Sequence, residues 1–233
     1  MIDQDRLCEK AAACGLDVRS IAPALDAFAQ LLVSYNEKVN LTAITDPEGI
    51  EDRHFIDSLL LARQPEVRGA LVDVGTGAGF PGIVVKLYRP DIRLTLMEPT
   101  GKRCDFLRCA CAELGVEADI VKERAEEAAR KQWRERFDTA TARAVAGMRE
   151  LSEFCLPLVK TGGFLLAMKG SSACAEAEEA RGAMEKLGGK LLETRTASLP
   201  DGSARGIVVC EKISQTPPVY PRNGGKIAKA PLG

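Results

Sequence analysis

The stretch that most restricts the fold is Asp73–Gly82, DVGTGAGFPG, with four glycines in ten residues. An apolar run, ALVDV at 70–74, leads into it, and a helical pattern at 82–88 follows. A glycine loop in that setting belongs to a strand–turn–helix unit whose backbone comes close to a ligand. The chain continues in the same manner. Apolar runs at 70–74, 92–97, 118–121, 138–142 and 163–168 read as strands. Helical stretches at 82–88, 101–114, 123–136, 147–160 and 172–187 separate them. Parallel strands need crossovers, so this alternation predicts an α/β fold with helices on both faces of a sheet.

Two further strands, at 190–198 and 206–213, are joined across the Asp201-Gly202 turn signal. The expectation is a Rossmann-like, mostly parallel seven-stranded sheet ending in an antiparallel hairpin. That pattern fits the class I methyltransferase sheet better than a dinucleotide dehydrogenase. The chain before Ala70 reads as helical: 21–39 is one helix, and a second starts with Asp46 as cap and Pro47 at the first position. The expected division is an N-terminal helical segment (1–66), the sheet domain (67–213) and a Pro/Gly-rich C-terminal tail (214–233).

The loop admits two cofactor classes. Gly77 to Gly82 satisfies G-x-G-x-x-G literally, which suits a dinucleotide. Read one dipeptide earlier, the loop carries Asp73 at its mouth, with Gly75 and Gly77 behind it. A carboxylate there opposes a pyrophosphate, which the helix start would otherwise attract. It suits the sulfonium and ammonium of S-adenosylmethionine, and that cofactor is favoured. Glu98, at the end of the next strand, is placed to accept ribose hydroxyls in either class. A glycine turn with no ligand is the remaining alternative.

Together, DVGTGAGFPG, EPTGKR (98–103), TARA (141–144), MKG (168–170), NLT (40–42) and RHFIDS (53–58) resemble one family in order and spacing. It is the glucose-inhibited division protein B type of small-subunit (16S) ribosomal RNA guanine-N7 methyltransferases, and the likeness runs from about residue 30 to 213. The resemblance implies S-adenosylmethionine as methyl donor. It implies cofactor contacts at Gly75 and Phe80, Glu98 at the ribose, Ala125-Glu126 beside the adenine, and Arg143 at the methionine end and target pocket. It implies small-subunit ribosomal RNA, naked or in the 30S particle, as partner. The Y-P-R-x-x-G ending also resembles part of the family.

Target recognition is expected from Arg143 and Lys169 at the carboxyl ends of strands. Nucleophilic N7 of guanine needs no base, so the lack of an acid–base dyad is consistent with it. Cys155, inside a helix, is a weak candidate for covalent chemistry. His54 with Asp57 reads as a packed pair, with His54 and Asn40 as pocket supports, and Lys102-Arg103 marks a corner for an anionic partner. A small-molecule or protein methyltransferase and a nicotinamide oxidoreductase are the alternatives.

Net charge is −1, from 32 Lys+Arg against 33 Asp+Glu, which excludes a wholesale electrostatic grip on nucleic acid but allows a local one. The charged run Lys122–Arg136, with i, i+4 spacings at Glu126/Arg130 and Glu127/Lys131, reads as a solvated face apart from Glu126. The tail reads equally as disordered or as a basic arm that orders on RNA. No apolar run reaches membrane length, and the charged start does not read as a secretory signal. The eight cysteines lack metal-site spacing. Cys104, Leu107, Cys111 and Leu114 instead form a helix stripe. A cytoplasmic monomer without metal is expected.

Overall fold

The computed structural model describes residues 1–233. Its first helices are α1 (Gln4–Ala13) and α2 (Ala22–Asn36). A short α3 (Pro47–Gly49) runs on through a π-helical stretch (Ile50–Ile56) into α4 (Asp57–Ala62). Asp46 caps this segment as expected, accepting from the Gly49 N–H at 2.7 Å. A π-helical stretch widens a helix and often marks a functional site; here it carries Arg53 and His54.

Strand and helix then alternate through β1 (Ala70–Val74), α5 (Gly82–Tyr88), β2 (Arg93–Met97), α6 (Gly101–Leu114), β3 (Ala118–Val121) and α7 (Ala125–Ala128). They continue through β4 (Phe137–Arg143), α8 (Met148–Cys155), β5 (Val159–Lys169), α9 (Ala173–Glu179) and α10 (Arg181–Lys186). The closing hairpin is β6 (Gly189–Ser198) and β7 (Ala204–Lys212), and α11 (Gly224–Lys229) lies near the C-terminus. The sheet has seven strands in the order β3-β2-β1-β4-β5-β7-β6, parallel except for β7, so the expected fold holds.

Period-two alternation builds a core on each face. Leu166, Met168, Ile207 and Val209 face α1 to α6, while Leu165, Ala167, Val208 and Cys210 face α7 to α10. Phe28, Phe55 and Leu59 from the first seventy residues sit in the same cluster as Leu71 and Leu96 of the sheet. The N-terminal helices thus close one face of the sheet. The Cys104/Leu107/Cys111 stripe is buried as read.

One local expectation fails, and of the two readings of the tail the disordered one does not hold. The helix expected at 123–136 is only Ala125–Ala128. Beyond it the chain turns, because its side chains are engaged elsewhere: Lys131 pairs with Glu123 at 2.6 Å, and Arg130 donates to the Pro221 carbonyl. The i, i+4 pairs therefore do not form. The C-terminal residues are packed, with Thr216, Ile227 and Leu232 buried against the domain.

Candidate active site

The glycine loop is held from below. Asp73 is fully buried, and its Oδ2 accepts from Thr76 Oγ1 at 2.5 Å and from the Gly82 N–H at 2.8 Å. Glu98, 2% exposed, accepts from the Gly77 N–H at 3.1 Å and the Thr100 N–H at 2.9 Å. Asp73 thus does not stand at the loop's mouth, as the sequence suggested, but staples the loop's two ends. The loop donors at Gly77 and Gly82, which a pyrophosphate would need, are already taken by carboxylates. That counts against the dinucleotide reading.

Asp73 Oδ1 has no hydrogen-bond partner, and burial pushes the carboxyl up to about 6 from an ordinary 3.8. The folded state then holds this proton more tightly than the unfolded chain. The group's contribution to stability is fullest below about pH 4, declines as pH rises towards 6, and is constant above. In Asp73→Asn, urea midpoints measured across that window should lose this component of the pH slope. Superimposable profiles for variant and wild type would show that the carboxyl titrates normally.

Two cavities open at the carboxyl ends of the strands, where open α/β sheets bind ligands. The first, about 110 Å³, is lined by Gly75, Met97, Pro99, Ala125, Glu126 and Phe154. The Glu126 side chain makes no hydrogen bond or ion pair within the protein, although the residue is only 7% exposed. The second cavity, about 360 Å³, is lined by Arg53, His54, Asp57, Arg143, Lys169 and Arg205 among others.

Arg143 organises the second cavity. Its Nη1 donates to the Arg53 carbonyl at 2.7 Å and to Asp57 Oδ2 at 3.1 Å, and its guanidinium lies 5.3 Å over the Phe80 ring. Its Nη2 donates to His54 Nδ1 at 3.2 Å. A guanidinium only donates, so Nδ1 must be the bare nitrogen, and the ring proton sits on Nε2, donated to Thr42 Oγ1 at 3.0 Å. Burial, with the Arg143 charge beside it, pushes the imidazole down to about 3. His54 is therefore a fixed neutral ring, stacked at 4.3 Å on Phe80.

Gly75, Ala125 and Glu126 meet at one cavity, with Glu98 between lining residues Met97 and Pro99. Arg143 and Lys169 meet at the other. The Phe80 side chain faces neither cavity: it is packed between Phe28 and His54, leaving only its backbone for a cofactor. Lys169 Nζ is tied to the Ala146 carbonyl at 2.6 Å and to Glu176 at 2.8 Å. Asn40 is exposed and outside the cavity, and Lys102 is likewise exposed. Cys155 is fully buried, with its thiol pushed up by desolvation, so it is no nucleophile. Asp57 does not pair with His54; it bridges Arg143 and Arg205. Arg205 and Arg53 also line the second cavity, though the sequence does not single out either side chain for it. Arg205 lies 148 residues from Asp57, and no local motif announces it.

This sheet order, with a glycine-loop cavity beside a second, arginine-lined one, defines a Rossmann-like methyltransferase. A S-adenosylmethionine-dependent O-methyltransferase from Thermotoga maritima shares the fold, with TM-score 0.52 and 14% identity over 80% of this chain and 73% of that one. A family model, GidB, rRNA small subunit methyltransferase G, matches residues 21–204. The ribosomal RNA small subunit methyltransferase G of Moorella thermoacetica is 43% identical over 240 residues, covering 100% of both chains. That of Lactobacillus delbrueckii subsp. bulgaricus is 48% identical over 209 residues, covering 86% of this chain and 87% of its own. The chain belongs to the rRNA small subunit methyltransferase G family.

Proposed function

We propose that the chain methylates N7 of a guanine in small-subunit (16S) ribosomal RNA, with S-adenosylmethionine as donor. The first cavity suits the adenosine part of the donor. Its walls at Met97, Pro99 and Phe154 are apolar, and Glu126 is an unpartnered carboxylate that can accept from an amine. Each oxygen of Glu98 keeps a lone pair for a ribose hydroxyl after its one backbone bond. When bound, the donor supplies a methyl on sulfur; the N7 lone pair forms the new C–N bond, the C–S pair stays on sulfur, and the positive charge passes to the purine.

The observation that carries this reading is that no group around the second cavity is free to take a proton. His54 is locked as an acceptor towards Arg143 and Asp57 is committed to two arginines. Exocyclic amines and hydroxyls lose a proton on methylation, whereas guanine N7 does not. Arg143 keeps its Nε–H and one Nη2 proton without a protein partner, and a guanidinium edge can donate to guanine O6 or to a phosphate.

The test is methylation of unmodified small-subunit RNA and of 30S particles with labelled donor, followed by nuclease digestion and mass spectrometry. 7-Methylguanosine is the expected product. Another methylated nucleoside, or label transferred only to a small molecule or protein, would overturn the proposal.

A further inference from the structure

Residues 213–233 follow a defined path along the charged run that reads as a solvated face in the sequence. Glu135 accepts from the Thr216 N–H at 2.8 Å, and Arg134 donates to the carbonyls of Thr216 at 2.6 Å and Tyr220 at 2.9 Å. Arg130 donates to the Pro221 carbonyl at 2.8 Å. Arg222 then grips the fully buried Glu153 through its backbone N–H at 2.7 Å and its guanidinium at 2.7 Å. Ile227 and Leu232 are buried beyond it.

These anchors bring Gly224 against Glu126. A Cβ added at Gly224 would clash with Glu126 Oε1, and apart from its neighbours along the chain only Glu126 lies within 4 Å of that position. The backbone at Gly224 is not in the left-handed region, so alanine is admitted there and only the carboxylate would have to move. Part of the basic charge at this end of the chain is engaged within the protein. Lys212 is fully buried and Arg222 is paired, leaving Lys226 and Lys229 at the surface.

We infer that the C-terminal segment is a strap that positions the Glu126 carboxylate for the methyl donor, with Gly224 as the positioning residue. This rests on the reading of the first cavity as the donor site. The physical logic is that a carboxylate without a protein hydrogen bond has no fixed place of its own. Steric contact with a firmly anchored backbone confines it.

The experiment is calorimetry of S-adenosylmethionine with the full chain. Gly224→Ala should raise Kd about five- to tenfold, the scale of one misplaced hydrogen bond, with kcat at saturating donor unchanged. Gly225→Ala is the control, because its Cβ meets only Asn223 Oδ1 at an ordinary 3.8 Å, and should bind as wild type. In a Glu126→Ala background, Gly224→Ala should add nothing. Arg222→Lys, which keeps the charge but loses the two-pronged grip, should weaken the donor in the same sense. Unchanged donor affinity in both Gly224→Ala and Arg222→Lys would overturn the inference, as would full additivity with Glu126→Ala. Loss of RNA affinity alone would overturn it and assign the tail to RNA. Absence of donor binding by the wild type would instead refute the cofactor reading.

Discussion

Arg143→Ala is expected to slow single-turnover methyl transfer by about 100-fold or more, the cost of misplacing reacting groups by roughly 1 Å. The side chain is 17% exposed and held by the Arg53 carbonyl, Asp57 and His54, so its remaining donors point from a fixed frame. Alanine removes both the frame and the donors. It leaves the buried Nδ1 of His54 without a donor and Asp57 facing Arg205 alone, a cost on the order of 1–3 kcal/mol that a domain of this size tolerates. Circular dichroism should therefore show the native fold. An independent readout comes from His54. Without the neighbouring positive charge its imidazole should titrate higher than about 3, as followed by NMR, with burial still holding it below the ordinary 6.5. Arg143→Lys should recover little, because an ammonium cannot bridge His54, Asp57 and the Arg53 carbonyl at once. Transfer within a few-fold of wild type in folded Arg143→Ala protein would remove the residue from the catalytic machinery.

Gly75→Val should abolish detectable donor binding, and it should also destabilise the domain. Gly75 has φ +66°, a left-handed conformation that costs an L-residue about 1–2 kcal/mol and a β-branched one more. A Cβ there would lie 2.8 Å from Val145 Cγ2, so the loop after β4 must shift as well. The substituent would project into the cavity lined by Gly75 itself. The melting temperature and the calorimetric titration together separate these effects. Adding Val145→Ala relieves the clash but not the backbone strain, so stability should return in part while binding does not. Wild-type donor affinity in Gly75→Val would place the donor elsewhere.

Which residues were legible from sequence follows from how local their information is. Gly75 and Glu98 directly follow a strand, Arg143 ends one and Ala125-Glu126 opens the helix after β3, and a strand end followed by a turn is readable from a window of ten residues. The roles of Asp73, Phe80 and Lys169 were harder to read. Each occupies a suitable position in the chain, yet Asp73 turns beneath the loop, the Phe80 ring stacks into the core, and Lys169 bonds Glu176. A side chain's direction depends on what packs against it, and those neighbours come from remote segments. The Lys122–Arg136 run departs from a solvated face for the same reason. Charges spaced as on a helix suggest solvent, but here they meet the backbone carbonyls of residues 216–221.

The sequence by itself determined the order of strands and helices, the hairpin ending and the place of the glycine loop between β1 and α5. Periodicity, turn chemistry and loop composition act over a few residues, and here they all agree. Only the tertiary structure decided the second cavity, where the π-helical stretch, β4 and the start of β7 bring Arg53, His54, Arg143 and Arg205 around Asp57. It also decided that His54 is a neutral structural ring and that the tail is bound to the domain. Protonation and charge pairing depend on distances between groups far apart in the chain, and those distances exist only once the sheet has closed.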